Sequence, residues 1–300
     1  MQRILGMGSV IIAAVLLTAG LFVTEAQNSI TGEWKASTRD QKGDKIQLSF
    51  ERRTERGGRN SHSSSFAYSD LQGLSPDRTQ NGQVSFKLER EAGVIECEGS
   101  FTNGVGAGTF RFTPNAGYIE AMRSRGFDFA KPNKGNGPSQ QMDDRLFSAA
   151  TLNITTALAD DLNSANFGPL TVDDLFKAAI FKVDSKFISE MKASGFPNLG
   201  MEELVKARIF KIDGDYVRQV RDMGFVKEDF EGMVKFRIFK VTPEFLSELK
   251  NEGFAELTSE EVVKFRIFNI DPEFIRAART EEPNITVEQL VQRKIGIKRR

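Results

Sequence analysis

The sequence predicts an α+β protein, an N-terminal antiparallel β sheet or small barrel followed by a solenoid of α-helical hairpins. Three observations carry this prediction. Apolar residues alternate with period two between Ile30 and Phe112, the mark of half-buried strands. Capping residues and glycine stops then bracket segments of about ten residues with helical spacing. Above all, one twenty-residue pattern recurs at a step of 29 positions. KFRIFKVTPEFLSELKNEGF starts at Lys235, with KARIFKIDGDYVRQVRDMGF at Lys206 and KFRIFNIDPEFIRAARTEEP at Lys264. KAAIFKVDSKFISEMKASGF at Lys177 and SAATLNITTALADDLNSANF at Ser148 are fainter copies. Self-similarity at this period indicates a stacked repeat array. The expected organisation is a signal peptide over 1–26, an antiparallel β domain over 27–112, a half-repeat helix and linker over 113–141, and the repeat array with a C-terminal cap over 142–300.

The first segment reads as an export signal: Arg3, an apolar run from Ile4 to Val23, then Thr24-Glu25-Ala26 with small residues where signal peptidase cuts. An uncleaved membrane anchor is the alternative. Either places the protein outside the cytoplasm. With one cysteine, Cys97, no intramolecular disulfide can form, and Cys97 is expected as a small buried strand residue. The lone His62 excludes a histidine-built metal site, and no cofactor is expected. Formal net charge is +0, and residues 27–112 balance 12 basic against 11 acidic side chains. Nothing there attracts nucleic acid.

In the β segment the alternating sets are Ile30, Gly32, Trp34; Ile46, Leu48, Phe50; Val84, Phe86, Leu88; and Ile95, Cys97, Gly99, Phe101. Turn signals, with Asn103-Gly104 the strongest, predict a meander of six or seven strands. The alternating Gly104, Gly106 and Gly108 suggest close approach by a large neighbour such as Trp34. SITGEW is similar to the first strand of lipocalin-like barrels, a resemblance that implies an apolar ligand cavity. ERRTERGGR, 51–59, gathers Arg52, Arg53, Arg56 and Arg59 at an expected hairpin tip, read as solvated charge or an anion site. FTPNAGYIEAMRSRGF, 112–127, matches the second half of the repeat with Tyr118 in the place of Phe245, and a loop rich in Gly and Pro follows.

Each repeat predicts two helices. The first opens at a capping box such as Thr258 with Glu261, echoed by Thr171 with Asp174 and Thr286 with Gln289, with Asp229 in the same slot. The second opens at Thr242-Pro243-Glu244 or Asp271-Pro272-Glu273 and stops at Gly195, Gly224 or Gly253, with Asn166 in the first copy. The inward stripe is expected to hold Leu204, Val205 and Ile209, and Met233, Val234 and Ile238. Phe187, Tyr216, Phe245 and Phe274 anchor the second helix, so most of the 25 Phe are repeat core. A departure at Glu281-Glu282-Pro283 and a basic tail suit a polar terminal cap.

The repeat also sets charge in files: Arg208, Arg237 and Arg266; Lys177, Lys206, Lys235 and Lys264; and Lys182, Lys211 and Lys240. Ion pairing within the array explains such files. The functional reading is a concave surface on which Arg208, Arg237 and Arg266, flanked by Lys206, Lys235 and Lys264, hold a protein or peptide partner's carboxylates.

The unit, through Thr258 to Phe274 and Thr242 to Phe254, resembles helical repeats that accompany bacterial membrane metallopeptidases of the β-lactam-sensor (antirepressor) family. That resemblance implies a bacterial, extracytoplasmic setting. It does not extend to a peptidase, since a His-Glu-x-x-His site cannot be built from His62. The expected function is therefore a non-enzymatic interaction or scaffold protein, accessory to a membrane peptidase or sensor, with apolar-ligand or lipid binding by the β domain as the alternative.

Overall fold

The computed structural model describes residues 29–38, 44–53, 59–131 and 138–296. The expected signal peptide, Arg56 at the hairpin tip and the end of the basic tail lie outside the described residues. The layout is α+β, a seven-stranded antiparallel half-barrel followed by twelve helices among the described residues.

Strands β1 (Ile30–Ser37), β2 (Lys45–Arg53) and β3 (Arg59–Ala67) are followed by β4 (Leu71–Gln72), β5 (Asn81–Arg90), β6 (Gly93–Thr102) and β7 (Val105–Pro114). Their order, β3-β2-β1-β7-β6-β5-β4, differs from a simple meander because β1 pairs with β7 at the centre. Two short meanders thus flank one long-range pairing, and β3 and β4 are left as edges. One face buries Ile30, Trp34, Leu48, Phe50, Phe86, Leu88, Cys97, Phe110 and Phe112. The other carries Lys35, Gln47, Ser49 and Glu51, as period-two alternation requires. Gly99 and Gly108 oppose one another, and a Cβ at Gly99 would sit 2.7 Å from the Trp34 ring. The glycines there make room for the indole, whose Nε1 donates to the Glu98 carbonyl at 3.1 Å.

Helix α1 (Ala116–Ser124) follows β7 directly, capped by Asn115, whose side chain accepts from the Gly117 N–H. Tyr118 and Met122 are buried beneath it. Helix α2 (Pro138–Thr151) then lies across β6, β7 and β3. Its Phe147 stacks on Phe110 with centroids 5.2 Å apart, and meets Phe50 and Phe112 edge-on. This packing closes the open apolar face of the half-barrel.

The remaining helices are α3 (Thr156–Ser164), α4 (Val172–Phe181), α5 (Ser185–Ala193), α6 (Met201–Phe210), α7 (Gly214–Asp222), α8 (Phe230–Ile238), α9 (Pro243–Asn251), α10 (Ser259–Ile267), α11 (Pro272–Glu281) and α12 (Val287–Lys294). None exceeds ten residues, below the roughly 12–15 that an isolated helix needs to persist. Their stability comes from packing. Like helices lie beside like: α4, α6, α8, α10 and α12 form one succession, and α1, α3, α5 and α7 belong to another.

Capping boxes close the starts of α4, α10 and α12, and Gly195, Gly224 and Gly253 take positive φ after α5, α7 and α9. The inward stripe needs a correction. Ile209 and Ile238 point to solvent, and Ala207, Phe236 and Phe265 occupy the buried position instead. Residue 209 lies five places after Leu204, about 140° round the helix, whereas residue 207 lies three places after it, on the same face.

Because Phe147 joins the two parts, Phe147→Ala is expected to lower the unfolding free energy by about 3–5 kcal/mol in urea titration. A loss under about 1 kcal/mol would show that α2 does not seal the sheet.

Candidate functional site

The arginine file is built into the seams between successive helix pairs. The Arg208 guanidinium lies 3.7 Å over the Phe187 ring, Arg237 lies 3.6 Å over Tyr216, and Arg266 lies 3.7 Å over Phe245. Each ring is the buried or nearly buried anchor of the preceding second helix. Arg208 also donates to the Lys182 carbonyl at 2.6 Å and Arg237 to the Lys211 carbonyl at 2.8 Å. Lys294 completes the series at the C-terminal end, 4.4 Å over Phe274. Burial pushes the Tyr216 hydroxyl up to about 12, with Arg237 pulling the other way. These arginines therefore have internal partners. The spacing of 21 residues from anchor ring to arginine was a signal available in the sequence.

The lysine file is mostly paired along the same succession. Lys177 meets Glu202, Lys206 meets Glu231 at 2.6 Å, and Lys264 meets Glu288 at 3.4 Å. Their partners raise all three lysines, in each case chiefly through the hydrogen bond to that glutamate. Lys235 has no ion pair among the described residues. These pairs are exposed and add little individually.

A second file, which follows the arginines by one residue at Ile209, Ile238 and Ile267, includes Ile209 and Ile238, two residues expected in the inward stripe. Ile180, Ile209, Ile238, Ile267 and Ile295 are 53, 53, 48, 47 and 51% exposed. Only Val105 and Val226 join them as exposed large hydrophobics among the described residues. A lone exposed isoleucine means nothing, but five at the same register form a continuous apolar strip.

A groove of about 840 Å3 opens between α7 and α9, lined by Met223, Phe225, Leu246, Lys250 and Phe254. Asp161 accepts from the Ser185 N–H and Glu190 from the Gly214 N–H, tying the starts of α5 and α7 to the helix before. At α9 the equivalent residues are Gln219 and Pro243, which has no N–H to give.

A smaller cavity, about 400 Å3, lies where α2 meets the sheet edge. There His62 Nε2 is 3.0 Å from Ser148 Oγ, beside the ion pair of Arg52 with Asp144. Burial lowers the His62 pKa and raises that of Asp143. No acid orients the His62 ring among the described residues, so the pair lacks the third member of a nucleophilic triad. Cys97 lies on β6, four strands away from β3, buried and with its thiol pushed up by burial, which separates it from His62. No three His, Cys, Asp or Glu side chains cluster as metal ligands among the described residues, and no helix among them is long and apolar enough to cross a membrane.

The apolar face of the half-barrel holds its own side chains. Trp34 packs against Phe86 and Phe101 at 5.2 and 5.7 Å between centroids, and Phe147 fills the space above Phe110. Comparison with known proteins finds no protein-family model that matches the chain and no matching curated protein.

Arg237→Gln removes a ring contact and a carbonyl bond together, so a loss of about 1–2 kcal/mol in urea is expected. The same substitution in a Tyr216→Leu background should cost less, and equal costs would rule out the ring contact. His62, the one histidine, gives a pH test. Its folded pKa lies below the ordinary 6.5, so the unfolded chain takes up the proton first. Stability is then level above about pH 6.5 and falls as pH drops below it. His62→Asn should flatten the melting temperature between about pH 6.5 and 5.5, and an unchanged slope would contradict the burial of the ring.

Proposed function

We propose that this chain is a non-enzymatic interaction or scaffold protein, whose helix pairs form a 29-residue-period solenoid that binds a protein or peptide partner. The file of exposed isoleucines carries this reading. Folding accounts for the caps, the anchor rings, the arginines over those rings and most of the lysine pairs. It does not account for an aliphatic side chain kept in solvent at one register on five successive first helices. Since each isoleucine is already about half covered, burying the rest is favourable by roughly 0.7–1.5 kcal/mol per residue, while charged residues on either side discourage non-specific collapse. Arg208, Arg237 and Arg266 then border the contact and support it, and Lys206, Lys235 and Lys264 flank it one turn away.

The export-type leader and the resemblance of the repeat to those beside β-lactam-sensor metallopeptidases support an extracytoplasmic role as an accessory to a membrane peptidase or sensor. The half-barrel, with its apolar face under α2, serves in this reading as the end piece that shields the first helix pair. Ligand binding by that face is the weaker reading, because Trp34, Phe86, Phe101 and Phe147 occupy it.

The test is photocrosslinking in the native envelope from a photoreactive residue at position 238. A defined adduct is expected, and Ile209→Asp with Ile267→Asp should abolish it while leaving the melting temperature within about 2 °C, as for exposed positions. An undiminished adduct in that variant would refute the isoleucine surface.

A further inference from the structure

The chemistry of the partner can be narrowed further, resting on the interaction reading above. Two residues beyond Ile180, Ile209, Ile238 and Ile267 the chain takes left-handed backbone to leave the first helix. Lys182, Lys211 and Lys240 do so with φ of 57°, 54° and 53°, while Asn153 and Asn269 hold the equivalent slot at the two ends, with φ of 53° and 47°. Asparagine accepts this backbone more readily than lysine. Folding alone would favour Asn or Gly at all five slots, yet the three central units keep a cation. All three lysines are exposed, and no ion pair meets them among the described residues. Their carbonyls are not free to vary either, since Arg208 and Arg237 hold those of Lys182 and Lys211. The backbone is clamped at Lys182 and Lys211, and the three exposed lysines follow Ile180, Ile209 and Ile238 at a distance of two residues along the chain.

Spacing selects the form of the occupant. Neighbouring helices pack roughly 8–10 Å apart, which sets the step between isoleucines on α4, α6, α8, α10 and α12. A helix laid along the file returns the same face every seven residues, about 10.5 Å. An extended strand returns the same face after about 6.7, 13 and 20 Å, so it misses each single step and meets at most every second isoleucine.

We propose that the file seats an acidic amphipathic helix of another protein, with an aliphatic side chain at each seventh position and Glu or Asp beside it to meet Lys182, Lys211 and Lys240. Arg208 and Arg237 add positive potential to the same edge, although their guanidinium groups face the rings beneath them.

The experiment titrates the full chain into a labelled synthetic peptide of four heptads, with Leu at every seventh position and Glu flanking it, and reads fluorescence anisotropy. Saturable binding is expected, together with a gain of peptide helicity by circular dichroism. Ile238→Ser should weaken it at least about tenfold, and Lys211→Glu with Lys240→Glu should do the same while creating affinity for a Lys-flanked version of the peptide. Both variants lie at exposed positions, and unchanged melting verifies that they fold. Failure of the acidic peptide to bind, equal binding of the Lys-flanked peptide by the unmodified chain, or indifference to Ile238→Ser would each overturn the proposal. So would a concentration-dependent dimer of the chain that Ile238→Ser abolishes, since the file would then seat a second copy. If the peptide fails while the adduct from position 238 persists in the envelope, the acidic helix is wrong and the interaction surface stands. Loss of both removes both.

Discussion

A guanidinium lying over an aromatic ring, repeated at three successive seams of the helical part, is the contact on which the rest of this structure depends. The ring belongs to the start of one second helix and the guanidinium to the end of the next first helix. One side chain therefore touches three elements, because Arg208 and Arg237 also bind the carbonyl where the preceding first helix ends. Each cation–π contact contributes about 0.5–1 kcal/mol at partly exposed sites. Its larger effect is geometric. Ten-residue helices have little intrinsic persistence, and a clamp that reads the end of one helix and the start of another leaves a single way to stack them.

The clamp has a cost that shows in its unpaired atoms. The Nε atoms of Arg208 and Arg266 and the hydroxyl of Tyr216 are buried with no hydrogen-bond partner. A carboxylate would satisfy such a guanidinium better than a ring does. Asp184 reaches Arg208 only at 4.0 Å, and the closer carboxylate contacts go to exposed lysines and to helix starts, where they accept from Ser185 and Gly214 N–H groups. Polar partners thus join the faces of the array, and apolar rings join its depth. The half-barrel solves the related problem at the other end, where a first helix would expose its inner face. Phe147 of α2 inserts among Phe50, Phe110 and Phe112, so sheet and helices share one apolar core.

Much of this was legible in the sequence because it is local. Caps, glycine stops and period-two strands are determined by residues within four positions of one another, and Thr171, Thr258 and Thr286 cap as their neighbours dictate. Strand order was not legible. The pairing of β1 with β7 joins residues more than sixty apart, and alternation says which face a side chain takes but not which strand lies beside it. The exposed isoleucines were misplaced for a different reason. Apolar character was taken to mean burial, and at Ile209 and Ile238 the helical angle points away from the core. The meeting of His62 with Ser148 left no trace in the sequence, since it depends on where α2 crosses the sheet.

The misplacement also sharpens what the surface means. Arg208 and Ile209 are consecutive, as are Arg237 with Ile238 and Arg266 with Ile267. On a helix, consecutive residues point about 100° apart. Fixing the arginine against a ring therefore fixes the isoleucine outward, at a height set by the clamp. Stability and presentation are two consequences of one helical turn, and neither can be altered without the other. A partner lying along the file would contact first helices that the clamps already hold in register, so it would meet a surface ordered beforehand and lose little conformational entropy of the array on binding. Drift in the clamp geometry would change the spacing of the file before it unfolded any helix. On the proposed reading the arginines would matter to recognition without touching the partner, by holding the isoleucines at one repeat distance.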